Sequence, residues 1–317
     1  MRIIRSVEGL FKLIQSDPVT AILMLLILIF SSIILYKKWV WLQIAYNWII
    51  NHILRFMKRD FVMLATFTKK EANFNNVKKE YQEQGCLYIS QNFLSKTKKD
   101  GSINYKDLQK ILDKQRSKMN TAIKRSKNSN SLIYLGFPHV PIAFLDGYHF
   151  KNTDEAILYE YQGEDSECLG KGFYELKRKY NSDMNIISDF DINTNYEKEV
   201  ALKLEQSFSL MNEEIKLASG VEQVISLGLE TPGRWSVTNY AQIELYEKKF
   251  IELLSKLKKS GVNRVHLFAA TPVSLSFSLG RIVEHYHPDV IVYNYNNNSY
   301  DWAINLRTEK ILNIKEK

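Results

Sequence analysis

Residues 263–295 read NRVHLFAATPVSLSFSLGRIVEHYHPDVIVYNY, and this stretch carries the clearest structural signal in the chain. Asn263–Ala270 is a short apolar run of the kind that forms a buried strand. Val273–His287 has helical spacing and begins just after Pro272, where proline favours a helix start. Asp289–Tyr295 is a second apolar run. This order predicts two parallel strands joined by a helix that packs on the sheet.

The pattern extends further toward the N-terminus. Glu222–Leu229 (EQVISLGL) reads as another buried strand. Ser236–Lys259 places apolar residues at helical intervals before Gly261, a typical stop signal. The alternation of three strands with two helices predicts an α/β fold with a parallel, Rossmann-like sheet.

An earlier part of the chain repeats this order. Ser131–Phe137 and Ala156–Tyr161 read as strands on either side of a proline-containing segment. When the chain is shifted by 134 residues without a gap, Pro138 pairs with Pro272, and five of the 29 positions from 134 to 162 are identical. Strand composition alone can imitate such a match. A true duplication predicts two Rossmann-like halves related by a pseudo-two-fold axis.

Polar and aromatic residues follow the predicted strands, at the edge of an open α/β sheet where ligands bind. The helix start at Pro272 offers backbone N–H groups and the positive end of a helix dipole to an anion. Arg234 is a candidate partner for a phosphate or a base, and Trp235 can stack on a base. A plain helix cap, a solvated charge and a core aromatic are the alternative interpretations. The candidate ligand-binding residues are Thr231, Arg234, Trp235, Thr271, Pro272, Ser274, Phe137 and His139.

Motifs for catalysis and for common cofactors are missing from the sequence. There is no GxGxxG after a strand, no GxxxxGK[ST] and no GxSxG, so a dinucleotide, P-loop or serine-hydrolase site has no support. The six histidines are scattered, and the two cysteines, Cys86 and Cys168, are too few for a structural zinc site. We therefore predict no metal, no cofactor and no catalytic residues. A binding fold of this kind suggests a sensor rather than an enzyme.

Two uncharged runs dominate the N-terminal part of the chain. Val19–Tyr36 has 18 residues, which as a helix span roughly 27 Å, and it ends at Lys37, Lys38 and Trp39 as membrane segments often do. We predict a transmembrane helix there rather than a core helix or a signal peptide. Trp39–Leu54 is shorter and less apolar, and it fits either a second span or an interfacial helix.

The charge distribution favours a hairpin with both ends in the cytoplasm. Basic residues flank both runs on their outer sides, whereas the turn between them carries only two lysines. Gln43, Asn47 and Asn51 recur every four residues and would form a polar stripe on a helix, which needs partners within lipid. Residues 1–17 have apolar side chains at helical spacing, which predicts an amphipathic segment on the inner membrane surface.

Positive charge is concentrated just after the two runs. The chain has 43 Lys and Arg against 35 Asp and Glu, a net charge of +8. Residues 58–130 hold 17 basic and 7 acidic residues, a net charge of 17 − 7 = +10. Such a region can face anionic lipid or attract a phosphate ligand. No motif for polymeric nucleic acid accompanies it, so we do not expect DNA or RNA binding.

The soluble part, roughly residues 60–317, resembles the SAVED domain. The similarity lies in VHLF, ATPVSLSFSLGR, VIVYNYN and YDWAIN between 265 and 305, and in LIYLGFPHVPIAFLDGY at 132–148. SAVED domains are fusions of two CARF-like, Rossmann-like units, which agrees with the repeat. The resemblance implies binding of a cyclic oligonucleotide second messenger and a response by an attached effector. The alanine-rich helix start of the family is replaced here by Thr271-Pro272-Val273-Ser274.

With two membrane helices in front, the chain resembles a two-transmembrane SAVED effector of CBASS anti-phage systems. That resemblance implies a bacterial inner-membrane protein whose cytoplasmic SAVED domain binds a cyclic di- or trinucleotide, forms homo-oligomers and disrupts the membrane, causing abortive infection. The expected organisation is an amphipathic segment at 1–17, two transmembrane helices at 18–58 and a SAVED domain at 59–317, with halves of about 59–180 and 181–317. The alternatives are a membrane-bound hydrolase of cyclic nucleotides (a ring nuclease) and an anchor that recruits a separate effector.

Overall fold

The computed structural model divides the chain into two compact units, Met1–Lys58 and Arg59–Lys317. The residues that the structure describes are 19, 22, 23, 26, 61–69, 72–82, 86–98, 103, 107–113, 120, 124, 131–151, 156–161, 172–178, 184–296 and 298–314.

The expected membrane segment lies almost entirely outside the described residues. Four helical positions between 19 and 26 are described within it. Across the described ranges, no helix is both long enough and apolar enough to cross a membrane. The second uncharged run, its polar stripe of Gln43, Asn47 and Asn51, and the segment 1–17 also fall outside the described residues.

The first half of the second unit is a five-stranded sheet. Its elements are β1 (Phe61–Phe67), α1 (Asn75–Gln82), β2 (Leu87–Asn92), a short 3-10 helix (Leu94–Lys96), β3 (Ser131–Phe137), α2 (Val140–His149), β4 (Ala156–Tyr161) and β5 (Phe173–Glu175), with a further helical stretch at 107–113. The strand order is β2-β1-β3-β4-β5, parallel except for β5. The strands β3 and β4 have the bounds that their apolar runs predict.

The second half is a seven-stranded sheet. Its elements are β6 (Ile186–Ser188), β7 (Glu199–Glu205), α3 (Asn212–Ser219), β8 (Val224–Leu229), α4 (Tyr240–Lys259), β9 (Arg264–Ala270), α5 (Val273–Arg281), β10 (Asp289–Asn296), β11 (Ser299–Asn305) and β12 (Lys310–Asn313). The order is β12-β11-β10-β9-β7-β8-β6, and the central strands β8, β7, β9 and β10 are parallel. The predicted parallel sheet is therefore confirmed, with antiparallel strands added at both edges.

Two helices are shorter than their apolar spacing predicts. The helix expected from Ser236 begins at Tyr240, because the Asn239 side chain caps it in a reciprocal pair with Gln242. The helix expected to reach His287 ends at Arg281. The chain continues in tight turns before a proline, which cannot extend a helix.

The two halves have the same connectivity, which confirms the predicted duplication at the level of topology. In order and position, β1, α1, β2, β3, α2, β4 and β5 correspond to β7, α3, β8, β9, α5, β10 and β11.

The structural equivalence differs by one residue from the ungapped shift. Strand β4 matches β10 at an offset of 134, as Ala156 and Val290 show by sharing the inner face. Strand β3 and helix α2 match β9 and α5 at an offset of 133. Leu132 and Val265 share the inner face, and the helices start at Val140 and Val273, which are 133 residues apart. The paired prolines of the ungapped shift are therefore not equivalent; Pro272 corresponds to His139, and both are N-caps.

Helices α2 and α5 join the halves through a close crossing. A Cβ atom on Gly147 would overlap the Phe277 carbonyl oxygen, and one on Gly280 would overlap the Phe144 carbonyl oxygen. Glycine is required at both positions because the backbones approach directly. These two glycines and two phenylalanines are equivalent at the 133 offset, so the crossing has pseudo-two-fold symmetry. The Tyr134 ring stacks on Phe277 with centroids 3.8 Å apart, and one hydrophobic core extends through both halves.

Candidate ligand-binding site

The strand order reverses at one place in each parallel sheet. This switch point lies between β1 and β3 in the first half, and between β7 and β9 in the second. Ligands of open α/β folds bind at such points, outside the carboxyl ends of the strands. The residues that follow these strands are therefore the candidates for ligand contact.

The switch point of the first half is filled by side chains of the protein, two from this half and one from the other. The Thr68 hydroxyl accepts the His139 backbone N–H at 2.6 Å and lies 2.6 Å from His139 Nδ1. His139 is 1% exposed, and its ring meets the Trp302 ring edge-on with centroids 5.7 Å apart. His139, a predicted base-stacking residue, is thus buried between two strand ends in this structure.

Phe137 lies at the same edge and is partly exposed. Its ring packs against the Tyr161 ring with centroids 4.9 Å apart. Its carbonyl oxygen accepts the backbone N–H groups of Thr68 and Lys69 at 3.2 and 3.1 Å. The backbone of Phe137 thereby holds the chain that leaves β1.

The switch point of the second half is organised around Gln206. This residue follows β7, and its backbone N–H donates to the Ala270 carbonyl at the end of β9 at 3.3 Å. Its carbonyl oxygen accepts the Gly233 N–H at 3.1 Å, and its side-chain amide donates to the Ser236 hydroxyl. Gln206 therefore anchors the loop that carries three of the predicted ligand-binding residues.

The loop after β8 is the most exposed part of the predicted site. Thr231 and Arg234 are exposed, and the Trp235 side chain is 42% exposed. Trp235 has φ of 65°, in the left-handed region that residues other than glycine rarely adopt. The sequence indicated these side chains but carried no signal for the left-handed backbone at Trp235.

The start of α5 is occupied by a carboxylate from the other half. Glu160, near the end of β4, accepts hydrogen bonds from the Ser274 N–H at 3.0 Å and from its hydroxyl at 2.6 Å. Pro272 is the N-cap, and the Thr271 hydroxyl lies 2.8 Å from the Ser276 hydroxyl. The helix start therefore binds an anion, as its dipole predicts. That anion is a side chain of this chain, so the Ser274 donors predicted to hold a phosphate are engaged within the protein.

Two opposing effects act on the pKa of Glu160. Burial raises the pKa of Glu160, and the hydrogen bonds from Ser274 oppose that rise because they favour the carboxylate. The Glu160–Ser274 contact links residues 114 positions apart in the chain and joins the two halves at the carboxyl edge of β4.

The equivalent helix start in the first half has different chemistry. Asn294 of β10 stands where Glu160 stands in β4, and Pro141 of α2 stands where Ser274 stands in α5. Pro141 has no backbone N–H to donate, and Asn294 carries no charge. The Asn294 amide donates instead to the Asp301 carboxylate at 2.9 Å. The pseudo-symmetric halves are therefore chemically different at their helix starts.

Two charged residues at this edge were missed by the sequence analysis. One is Glu160, and the other is Lys69, which directly follows the β1 region. Burial lowers the pKa of Lys69, and the nearby Asp301 carboxylate opposes that shift. The sequence signal for Lys69 was the apolar run FVMLATF followed by Thr-Lys-Lys, which marks a strand with cations at its end.

Within the described ranges, no group of three or more His, Cys, Asp or Glu side chains is placed to hold a metal ion. The polar groups at this edge include hydroxyls, amides, carboxylates, an imidazole and the cations of Lys69 and Arg234, which suit hydrogen bonding and anion or base recognition.

A family model described as "SMODS-associated and fused to various effectors sensor domain" (SAVED) matches residues 115–306. A search of curated proteins gives no match. Among solved structures, the chain is similar to an Acinetobacter baumannii Cap4 SAVED/CARF-domain containing receptor, solved with the cyclic trinucleotides 2'3'3'-cAAA and 3'3'3'-cAAA.

The identities to these two structures are 15% and 17%, with TM-scores of 0.50 and 0.52. The matches cover 80% and 84% of this chain but 52% and 56% of the receptor chains. The likeness therefore shows a shared fold, and this chain spans about half the length of the solved receptors that it matches.

Proposed function

This chain belongs to the SAVED family of sensor domains, and from that membership we propose that it is a receptor for a cyclic oligonucleotide. The observation that carries the proposal is the paired architecture, in which two Rossmann-like halves share one core and each has a switch point at its carboxyl edge. A ligand with repeated phosphates and bases suits a site built from two similar halves. The similar Acinetobacter receptors were solved with cyclic trinucleotides, which supports a cyclic di- or trinucleotide as the ligand class.

The exposed loop of the second half provides groups of the required chemistry. The Arg234 guanidinium binds a phosphate, and the Trp235 indole stacks on a base. Thr231 and Thr271 add hydroxyl groups after β8 and β9, on either side of β7. Lys69 contributes a cation from the first half.

We extend the proposal to the N-terminal unit, whose support is the sequence. Two uncharged runs with basic outer flanks favour a hairpin in the bacterial inner membrane, with the SAVED domain in the cytoplasm. Ligand binding drives homo-oligomerisation, because the ligand contacts the assembled state better than the separate chains. Assembly brings the Gln43, Asn47 and Asn51 stripes together in lipid and opens a leak. The chain acts as a receptor and effector of CBASS type without enzymatic turnover.

The proposal is tested with the full-length chain in dye-filled liposomes. We expect at least one member of a panel of cyclic di- and trinucleotides to bind in calorimetry and to release the dye. Replacing Gln43, Asn47 and Asn51 together by leucine should leave binding intact and abolish release. The proposal fails if no member of the panel binds or releases dye.

Two further measurements separate this proposal from its alternatives. Chromatography of the ligand after incubation should recover it intact, whereas a ring nuclease would linearise it. Exchange of residues 1–58 for an unrelated membrane anchor should remove toxicity in cells. Retained toxicity would favour an anchor that recruits a separate effector.

A further inference from the structure

We infer that Gln206 and the loop Thr231–Ser236 form a base-reading subsite at the switch point of the second half. In this subsite the Gln206 side-chain oxygen accepts a hydrogen bond from an amino group of a nucleobase that stacks on Trp235. The inference rests on the proposed function and adds to it the residue that reads the base.

Gln206 is the point through which the loop is attached. It is 0% exposed, and it contacts both the end of β9 and the loop. The Ser236 hydroxyl lies 2.7 Å from the Gly233 carbonyl and 3.3 Å from the Gln206 carbonyl. The side chain of Ser236 thus closes the loop on itself, while Gln206 holds it against the sheet.

One polar atom of Gln206 lacks a partner. Within the part of the chain that the structure describes, Gln206 Oε1 is buried and accepts no hydrogen bond. Burying an unsatisfied acceptor is costly, and such an atom in a folded protein calls for an explanation. A donor from a ligand would satisfy it.

The first half shows that this position need not be unsatisfied. Thr68 is the residue equivalent to Gln206, since both donate a backbone N–H to the end of the neighbouring strand. Its hydroxyl is bonded to His139, which closes the first switch point. The two equivalent residues therefore differ, because the Thr68 hydroxyl is hydrogen-bonded whereas Gln206 Oε1 is a buried acceptor without a donor.

Trp235 provides an independent indication of binding at this loop. Its left-handed backbone, with φ of 65°, is strained for a residue with a side chain, and strain of this kind clusters at ligand-binding sites. The residue in this conformation is 42% exposed, which is unusual for a tryptophan. The Gln206 amide contacts Ser236, the residue that follows Trp235 in the loop. An exposed aromatic ring and an unsatisfied amide on one loop form a combination that can stack on a base and read its edge.

The geometry also sets the class of base. An acceptor is satisfied by an exocyclic amino group, as in adenine, and is repelled by the carbonyl oxygen that hypoxanthine carries at the same position. Because Oε1 is covered, the base reaches it when the loop shifts outward.

The test measures binding to the full-length chain by calorimetry, using 3'3'3'-cAAA and its analogue with hypoxanthine in place of adenine. We expect wild type to prefer the adenine ligand by about tenfold or more, since a site built around a hydrogen bond rejects the analogue that lacks the donor. Gln206→Met should lose this preference. Its melting temperature should change little, because the variant removes the unsatisfied oxygen together with the amide hydrogen bond to Ser236.

A matched pair of variants tests the role of the loop. Trp235→Gly relieves the backbone strain and removes the ring, and it should weaken binding by about tenfold, the effect of one lost stacking contact. Asn298→Gly relieves a left-handed residue in the β10–β11 turn, with φ of 58°, and should leave affinity unchanged.

The outcomes separate this inference from the function on which it rests. If wild type binds no cyclic oligonucleotide, the proposed function and this inference both fail. The inference alone is overturned if wild type binds the adenine ligand and its hypoxanthine analogue equally well. It is also overturned if Gln206→Met keeps the preference for adenine. The preference is a ratio measured on one variant, so partial unfolding of that variant does not obscure it.

Discussion

The two halves of the second unit share a backbone plan but bury different side chains beneath their central helices. In the first half, Asp146 of α2 accepts hydrogen bonds from the Thr66 hydroxyl at 2.7 Å and from the Tyr134 hydroxyl at 3.1 Å. All three residues are 2% exposed or less. The three equivalent positions of the second half are leucines, namely Leu204, Leu267 and Leu279.

This difference shows that the fold accepts two solutions to the same burial problem. A leucine cluster gains from the hydrophobic effect, whereas a buried carboxyl group is tolerated when hydrogen bonds satisfy it. The polar solution adds a property that leucines lack. Burial raises the pKa of Asp146 to about 7, so the core of the first half carries a group that titrates near neutral pH.

The largest effect is expected where the halves are alike, at the glycine crossing of α2 and α5. Gly280→Leu should destabilise the protein by more than about 4 kcal/mol, because the new side chain would overlap the Phe144 backbone and force the helices apart. Gly147→Leu should have a similar effect through Phe277. The measurement is the free energy of unfolding in urea.

Gly233→Ala is the matched control for this prediction, since no atom lies within 4 Å of the added methyl group. Unequal effects at the two crossing glycines would show that the interface is not pseudo-symmetric, and a small effect at both would contradict the close crossing.

The next effect exploits the difference between the cores. The folded-state pKa of Asp146, about 7, lies above its unfolded value of 3.8, so the folded protein binds more protons between these pH values. The stabilisation from protonated Asp146 is therefore complete below about pH 4 and is lost as the pH rises through 7. At about 1.4 kcal/mol for each pKa unit, the loss is on the order of 4 to 5 kcal/mol.

Asp146→Asn keeps the acceptor oxygen for Thr66 and Tyr134 but cannot ionise, so it should flatten this dependence and exceed wild type in stability near pH 8. Unfolding curves of both proteins from pH 4 to 8 provide the comparison. Glu247, whose pKa burial also raises to about 7, contributes a similar slope to both proteins and cancels in their difference. Parallel curves for wild type and variant would disprove the assignment to Asp146.

The smallest effect concerns the unlike helix starts. Ser274→Ala removes the hydroxyl that donates to Glu160, and we expect a loss of about 1 to 2 kcal/mol because the carboxylate keeps only part of its hydrogen bonding. Ser276→Ala is the matched control, since its equally buried hydroxyl contacts the Pro272 carbonyl and the Thr271 hydroxyl, both in its own half. Ser276→Ala should lower the free energy of unfolding in urea by less than Ser274→Ala does. Equal losses would show that the Ser274–Glu160 hydrogen bond between the halves is not the cause.

Local patterns predicted much of this fold. The apolar runs at 131–137 and 156–161 have the bounds of β3 and β4, because a short apolar run between turn residues needs only its own composition to be recognised. The internal repeat was also visible, although the ungapped shift paired Pro138 with Pro272. In the structure the residue equivalent to Pro272 is His139, because β3 and α2 match the second half at an offset of 133 rather than 134. An identity between two prolines cannot reveal a shift of one residue.

The site was predictable in its parts but not in its contacts. The helix start at Pro272 was expected to attract an anion, and it does, but its anion is Glu160. The sequence indicated Trp235 without its left-handed backbone. It gave no signal for Gln206, whose role depends on its contacts with the end of β9 and with the loop after β8. Local patterns could not show which residues of one half contact the other, as Glu160 contacts Ser274 and Gly147 contacts Phe277.

The amino-acid sequence by itself determined the alternation of strands and helices, the repeat and the residues that follow each strand, because these depend on side-chain periodicity and on neighbours a few positions away. Only the tertiary structure decided which distant groups meet: Gly147 with Phe277 and Glu160 with Ser274 across the halves, and Thr66 with Asp146 within the first half. The reason is that such contacts join residues 80 to more than 100 positions apart, and their energies depend on burial and on the approach of two backbones, which no local segment contains.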